Sequence, residues 1–233
     1  MPDFRFLPFL LLVAVAGPPL DVLSLADAAR GAPVPPGWKV RPVRGQTAPD
    51  TEIRTEGDAP AFRLTGAGRA AWFYRELSPE ISEAAGSLQW SWRVLEAPAG
   101  ADLREKQTDD SPIRVYVVFG NPRSLFGGSG RIIFYTYGNV EPRVFARASH
   151  VSDKMHVIRV DGAAELGSWQ RHGVEPFSDY RRVWNRDPPP ITAIGVIQDT
   201  DQTRAMAVAE LRRLEWRMDT VDAASGPFDR RSR

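Results

Sequence analysis

Cysteine is absent from all 233 residues. With it go disulfides, thiolate metal centres, cysteine nucleophiles and a lipidated N-terminal cysteine. Histidine is scarce: His150, His156 and His172 are spaced neither as a helical zinc pair nor as a strand pair. No Gly-x-Ser-x-Gly elbow is present. Gly127-Gly128-Ser129-Gly130 lacks the strand-to-helix setting and the trailing Lys-Ser/Thr of a phosphate loop, so it reads as a hairpin. Charge of one sign is missing too, with a formal net charge of +1 from 30 basic and 29 acidic residues. Displacing counterions from phosphates needs a basic stripe, and this balance argues against nucleic acid as a partner. Long apolar runs are absent as well. Phe6 to Ala16, broken by Pro8, is about 11 residues, short of the roughly 20 that cross a bilayer as a helix.

What that run does resemble is an export signal. Arg5 precedes it, and Ala26-Asp27-Ala28 places small residues at the two positions a signal peptidase inspects. Residues 1–28 are therefore expected to be a signal peptide cut after Ala28, with Ala14-Val15-Ala16 as an alternative site. The product would be periplasmic or secreted, with no membrane span after cleavage. Residues 29–37, rich in Pro, Gly and Ala, read as a linker. Residues 38–218 read as the folded domain and 219–233 as a disordered tail.

Within 38–218 the pattern is short strands between turns. Ser87 to Leu95 alternates most clearly, with Leu88, Trp90, Trp92 and Val94 on one face and Gln89, Ser91 and Arg93 on the other. In Ala71 to Leu77, Trp72 and Tyr74 share a face opposite Phe73 and Arg75. Pro112 opens a strand in which Ile113, Val115, Val117 and Phe119 face one way and Arg114, Tyr116 and Val118 the other. Trp38 to Val40, Ala61 to Thr65, Arg131 to Tyr137, Val144 to Ala148, Met155 to Val160 and Ile191 to Ile197 add further strands. Only Ser178 to Trp184 reads as a helix, with Ser178 as N-cap and Asp179 near the positive end. Arg204 to Met218 is ambiguous: its composition favours helix, yet its apolar residues trace no helical stripe. Many short strands with one helix indicate a mainly β sandwich or barrel.

Two carboxylate groups stand at strand ends. Asp199 and Asp201, with Thr200 and Thr203, can share a hard cation such as Ca²⁺, or can bond neighbouring amides in a polar turn. No cofactor is required by either reading. Asp109 and Asp110 precede Arg114, whose apolar neighbours demand a carboxylate partner; Asp110 is the expected one. If the two loops met, Asp109, Asp110, Asp199 and Asp201 could instead supply the acid and base of a glycan hydrolase. Seven tryptophans and five tyrosines suggest sugar stacking, although Trp90 and Trp92 share a face with core residues. Tyr135 and Tyr137, near the Gly-rich run, are the expected exposed pair. Together with Asp109, Asp110 and Arg114 they form the candidate ligand site.

The succession Leu88-Gln89-Trp90-Ser91-Trp92, Asp109-Asp110 before Arg114-Val115-Tyr116-Val117-Val118-Phe119, Trp169, Asp179-Tyr180 and Asp199-Thr200-Asp201-Gln202-Thr203 resembles a bacterial secreted family known only as domain of unknown function 3047. The resemblance spans about Trp38 to Met218. It implies a jelly-roll-like β-sandwich, similar to galactose-binding and carbohydrate-binding modules, with Arg204 to Met218 as the closing strand. It implies no activity. Two functions are therefore weighed: a non-catalytic module binding a glycan or an envelope partner, and a carboxylate-dependent hydrolase.

Overall fold

The computed structural model describes residues 18–56, 59–79, 86–121, 130–162 and 166–218. Two sheets pack face to face as a jelly-roll-like β-sandwich. The first runs β11 (Gln170–Val174), β6 (Gly86–Glu96), β13 (Met206–Met218), β4 (Ala59–Ala67) and β3 (Asp50–Glu56), with β1 (Leu20–Asp21) on the far half of β13. The second runs β2 (Lys39–Pro42), β5 (Ala70–Glu76), β12 (Ile191–Asp199), β7 (Ser111–Phe119), β8 (Arg131–Gly138), β10 (Met155–Gly162) and β9 (Ala146–Ala148). Pairing is antiparallel except between β8 and β10.

The alternation of β6 is realised as read: Leu88, Trp90, Trp92 and Val94 are buried between the sheets, while Gln89, Ser91 and Arg93 are less so. The closing segment is a strand. Its pattern was unreadable because two register shifts interrupt it, one of them between Leu211 and Arg213. Ala209 and Leu211 face inward before that shift, Leu214 and Trp216 after it, so a single extra residue breaks the period of two.

The helix α1 spans Pro176–Trp184 and starts earlier than Ser178. Glu175 is its N-cap and Pro176 opens the first turn, where a missing N–H costs nothing. It plugs one end of the sandwich: Tyr180 lies 4.7 Å from the Phe119 ring and Phe177 6.1 Å from Trp216. Asn185, at φ 48°, ends the helix in the left-handed conformation.

The folded unit begins upstream of Trp38. β1 pairs with β13, and Val22, Leu23 and Leu25 lie in the core. Residues expected to be a linker continue the packing, since Gly31 N donates to Ile53 O and Ile53 N to Ala32 O. Among the described residues, three strands escaped the sequence reading: β1, the edge strand β3 and β11. Residues 219–233, most of the Gly-rich run and the apolar run Phe6 to Ala16 lie outside the described residues.

Candidate functional site

The second sheet is apolar on both faces, and this decides where a ligand could lie. Every residue of β7 is buried. Ile113, Val115, Val117 and Phe119 belong to the inter-sheet core, while Tyr116 and Val118 join Ile132, Phe134, Met155, Val157, Ala193, Ile197 and Leu103 in a second cluster on the outward face. The segments 97–110 and 139–149 cover the β8–β10 side of that face. They are tied together by Arg147 Nε donating to Leu103 O (2.7 Å), by Asn139 Nδ2 donating to Pro98 O (2.9 Å) and by Leu103 N donating to Glu141 Oε1.

Towards β5 and β2 the same face carries two partly buried aromatics, Trp72 and Tyr74. Trp72 stands edge-on to Tyr116 at 5.1 Å and tilted against Phe134 at 5.6 Å. Sheet register lines up Lys39, Tyr74, Gly195, Tyr116 and Phe134 in one row, and Arg41, Trp72, Ile197, Arg114 and Thr136 in the next. Lys39 is held by Glu76 at 2.7 Å. The outcome is an aromatic strip with an exposed polar rim from β2 and a buried polar end at Arg114.

At that end, Arg114 pairs with Asp109 and not with the expected Asp110. Arg114 Nη2 donates to Asp109 Oδ1 and to Asp109 O, both at 2.9 Å, and Arg147 Nη2 donates to Asp109 Oδ2 at 3.0 Å. Asp110, 2% exposed, instead anchors the turn after β12. Its carboxylate accepts from Gln202 N (3.2 Å), Thr203 N (2.7 Å) and Thr203 Oγ1 (2.6 Å). The same turn is tied to the β4–β5 hairpin through Thr200 Oγ1, which donates to Arg69 O and accepts from Arg69 N.

The two loops do meet. One oxygen each from Asp110, Asp199 and Asp201 lie within 4.8 Å of one another, a set that could hold a cation. Burial pushes the Asp199 carboxyl up to about 8; Arg114 opposes the rise, whereas the charges of Asp201 and Asp110 and a hydrogen bond to Asp201 add to it. Asp199 is thus chiefly protonated at neutral pH, and Asp201 accepts from Gln202 Nε2 at 2.7 Å.

Tyr135 and Tyr137 are not exposed: both are fully buried in the inter-sheet core. Tyr135 Oη donates to Asp179 Oδ2 of α1 at 2.7 Å, and burial, with the Asp179 charge, drives its pKa well above the usual phenol value. Trp90 and Trp92 are core residues, and Trp92 Nε1 donates to Asp161 Oδ2 at 2.8 Å. Trp72 and Tyr74, partly buried on the outer face, were placed on one face by the alternation around Phe73. The missed signal is that both parities of that strand are aromatic, which marks a sheet with two apolar faces.

Among the described residues no helix is long and apolar enough to cross a membrane. Residues 36–215 match the family described as "Protein of unknown function (DUF3047)". No curated protein matches the chain. Among solved structures, the family 11 carbohydrate-binding module of cellulosomal cellulase Lic26A-Cel5E of Clostridium thermocellum is similar at 10% identity, over 88% of this chain and 97% of that one, with a TM-score of 0.49. The xyloglucanase domain of NopAA, a type three effector from Sinorhizobium fredii, is similar at 10% identity over 78% and 94%, with a TM-score of 0.43. A family 11 xylanase from Neocallimastix patriciarum is similar at 12% identity over 78% and 91%, with a TM-score of 0.41. The likeness is one of two-sheet architecture alone.

Proposed function

The chain belongs to the DUF3047 family of proteins of unknown function, and we propose that it is an exported, non-catalytic β-sandwich that binds a glycan along Trp72 and Tyr74. The observation that carries this reading is the strip itself: two partly buried aromatics, backed by Tyr116 and Phe134, on an outward sheet face. A sugar ring presents an apolar C–H face to such a surface and hydroxyls to its rim. Arg41 and Lys39, opposite Trp72 and Tyr74 on β2, supply donors there.

The polar end supports binding over chemistry. Asp109 is held between two guanidiniums and Asp110 is saturated by Gln202 and Thr203, so neither is free to act as base or nucleophile. One observation favours a hydrolase as second reading: the carboxylates of Asp199, Asp110 and Asp201 converge within 4.8 Å, and burial pushes Asp199 up to about 8, the direction a general acid needs. Asp199 lies two residues along β12 from Ile197, the partner of Trp72.

The Asp110–Asp199–Asp201 group reads as a hydrogen-bonded turn in preference to a Ca²⁺ site. Both oxygens of Asp110 are engaged by the 202–203 turn, and the Arg114 guanidinium already places a positive charge near the Asp199 carboxyl. A melt in calcium and in chelator tests this, with equal midpoints expected.

The function is tested by affinity electrophoresis through a panel of neutral and acidic polysaccharides and by pull-down on cell-wall fragments. Retardation by at least one polymer is expected, together with no release of reducing ends. A Tyr74→Ala variant should lose retention about tenfold while keeping its melting temperature, since one stacked ring is worth about 1.4 kcal/mol. Retention unchanged in Tyr74→Ala and Trp72→Ala would remove the strip from the site. Hydrolysis that disappears in Asp199→Asn would establish the second reading.

A further inference from the structure

Residues 18–28, which the sequence places inside the signal peptide, are built into the sandwich. Leu20 and Asp21 pair with Trp216 and Glu215 of β13, and Val22 N continues the ladder to Leu214 O at 2.9 Å. The Asp21 side chain then folds the chain over, its Oδ1 accepting from Leu23 N (3.0 Å) and Ser24 N (2.9 Å). The turn carries Val22, Leu23 and Leu25 into the core at 0%, 1% and 5% exposure.

Residues far along the chain depend on this segment for their own polar groups. The Trp38 indole N–H, in a side chain 7% exposed, donates to Val22 O at 2.9 Å. Arg75 Nη1 donates to Asp21 O at 3.1 Å and to Ser24 Oγ at 2.8 Å. A chain starting at Ala29 would leave that indole N–H without its acceptor, open the pocket filled by Val22 and Leu23, and strip the ladder from the far half of β13. Each of these is a recognised route to large destabilisation.

We infer that the segment from Pro18 to Ala28 is part of the mature protein and that the export signal is removed upstream of it, after Ala16. Ala14-Val15-Ala16, the last three residues of the apolar run Phe6 to Ala16, supplies small residues at both inspected positions and leaves Gly17 as the new N-terminus. Ala26-Asp27-Ala28 has the same side-chain pattern, but cutting there discards a strand and three core residues. The inference rests on the export reading, and the experiment separates the two.

The full-length chain is expressed in a bacterial host, the envelope and cytosolic fractions are separated, and the product is read by intact mass and N-terminal sequencing. An envelope product beginning at Gly17 is expected. A product beginning at Ala29 would overturn the inference, as would uncut chain in the membrane fraction; uncut chain confined to the cytosol would overturn export itself. Independently of export, leaderless chains starting at Gly17 and at Ala29 are compared by thermal melting. The shorter chain should melt roughly 10 °C or more lower, given about 2–4 °C per kcal/mol for a domain of this size. Equal melting temperatures would show that residues 18–28 are dispensable to the fold.

Discussion

Tyr116 lies across Gly195: a Cβ on that glycine would stand 2.8 Å from the Tyr116 hydroxyl oxygen and would collide with the Phe73 carbonyl. The ring uses the space to send its hydroxyl towards Phe73 O, 3.4 Å away. Gly195 sits between Tyr74 and Tyr116 in the same row, so its bare backbone sets the spacing of the aromatic strip. Gly195→Ala should cost about 3 kcal/mol, because a sheet carbonyl cannot move aside as a side-chain tip can. It should also weaken glycan retention. Denaturant melts and affinity electrophoresis on the same variant check both effects.

Asp109 and Asp110 are neighbours with different work. Asp109→Asn removes the carboxylate from Arg114, whose side chain is 5% exposed, and should cost about 3 kcal/mol. Asp110→Asn keeps one acceptor oxygen for the 202–203 turn and should cost about 1–2 kcal/mol. Calorimetric melts of the two variants should rank in that order; the reverse ranking would return the ion pair to Asp110.

The proton on Asp199 links stability to pH. Its folded value, about 8, stands above the ordinary 3.8, so between those values the native state holds a proton that the unfolded chain has released. The contribution is fully present below about pH 4, falls by up to about 1.4 kcal/mol per pH unit through the window, and levels off above about pH 8. Asp199→Asn should flatten this slope and be at least as stable as the parent at pH 8. Urea melts at pH 5, 6.5 and 8 provide the comparison.

Tyr135 should behave as a structural residue. Tyr135→Phe deletes the 2.7 Å bond to Asp179 Oδ2 and leaves Arg182 on the other oxygen at 2.6 Å. A loss of about 1–2 kcal/mol is expected, with glycan retention unchanged. Retention lost in this variant at parental stability would put Tyr135 at the ligand.

Local sequence determined the strands whose two faces meet different surroundings. Leu88 to Val94 on β6 could be read because Gln89, Ser91 and Arg93 turn away from the core, and a period of two is visible only when the faces contrast. The same reading placed Asp109, Asp110 and Arg114 at one strand mouth and required a carboxylate for the guanidinium. Tertiary structure decided the rest. On β7 and β8 both faces are apolar, so parity could not tell core from surface, and Tyr135 was settled by Asp179 reaching it from a helix 44 residues away in sequence. The partner of Arg114 depended on where the turn after β12 arrives, since its amides claim Asp110 and leave Asp109 for the arginine. Leu20 to Leu25 fell inside the expected leader because Ala26-Asp27-Ala28 has the small residues of a cleavage site; Leu214 and Trp216 on β13 and the Trp38 indole, which give the segment its place, are far along the chain.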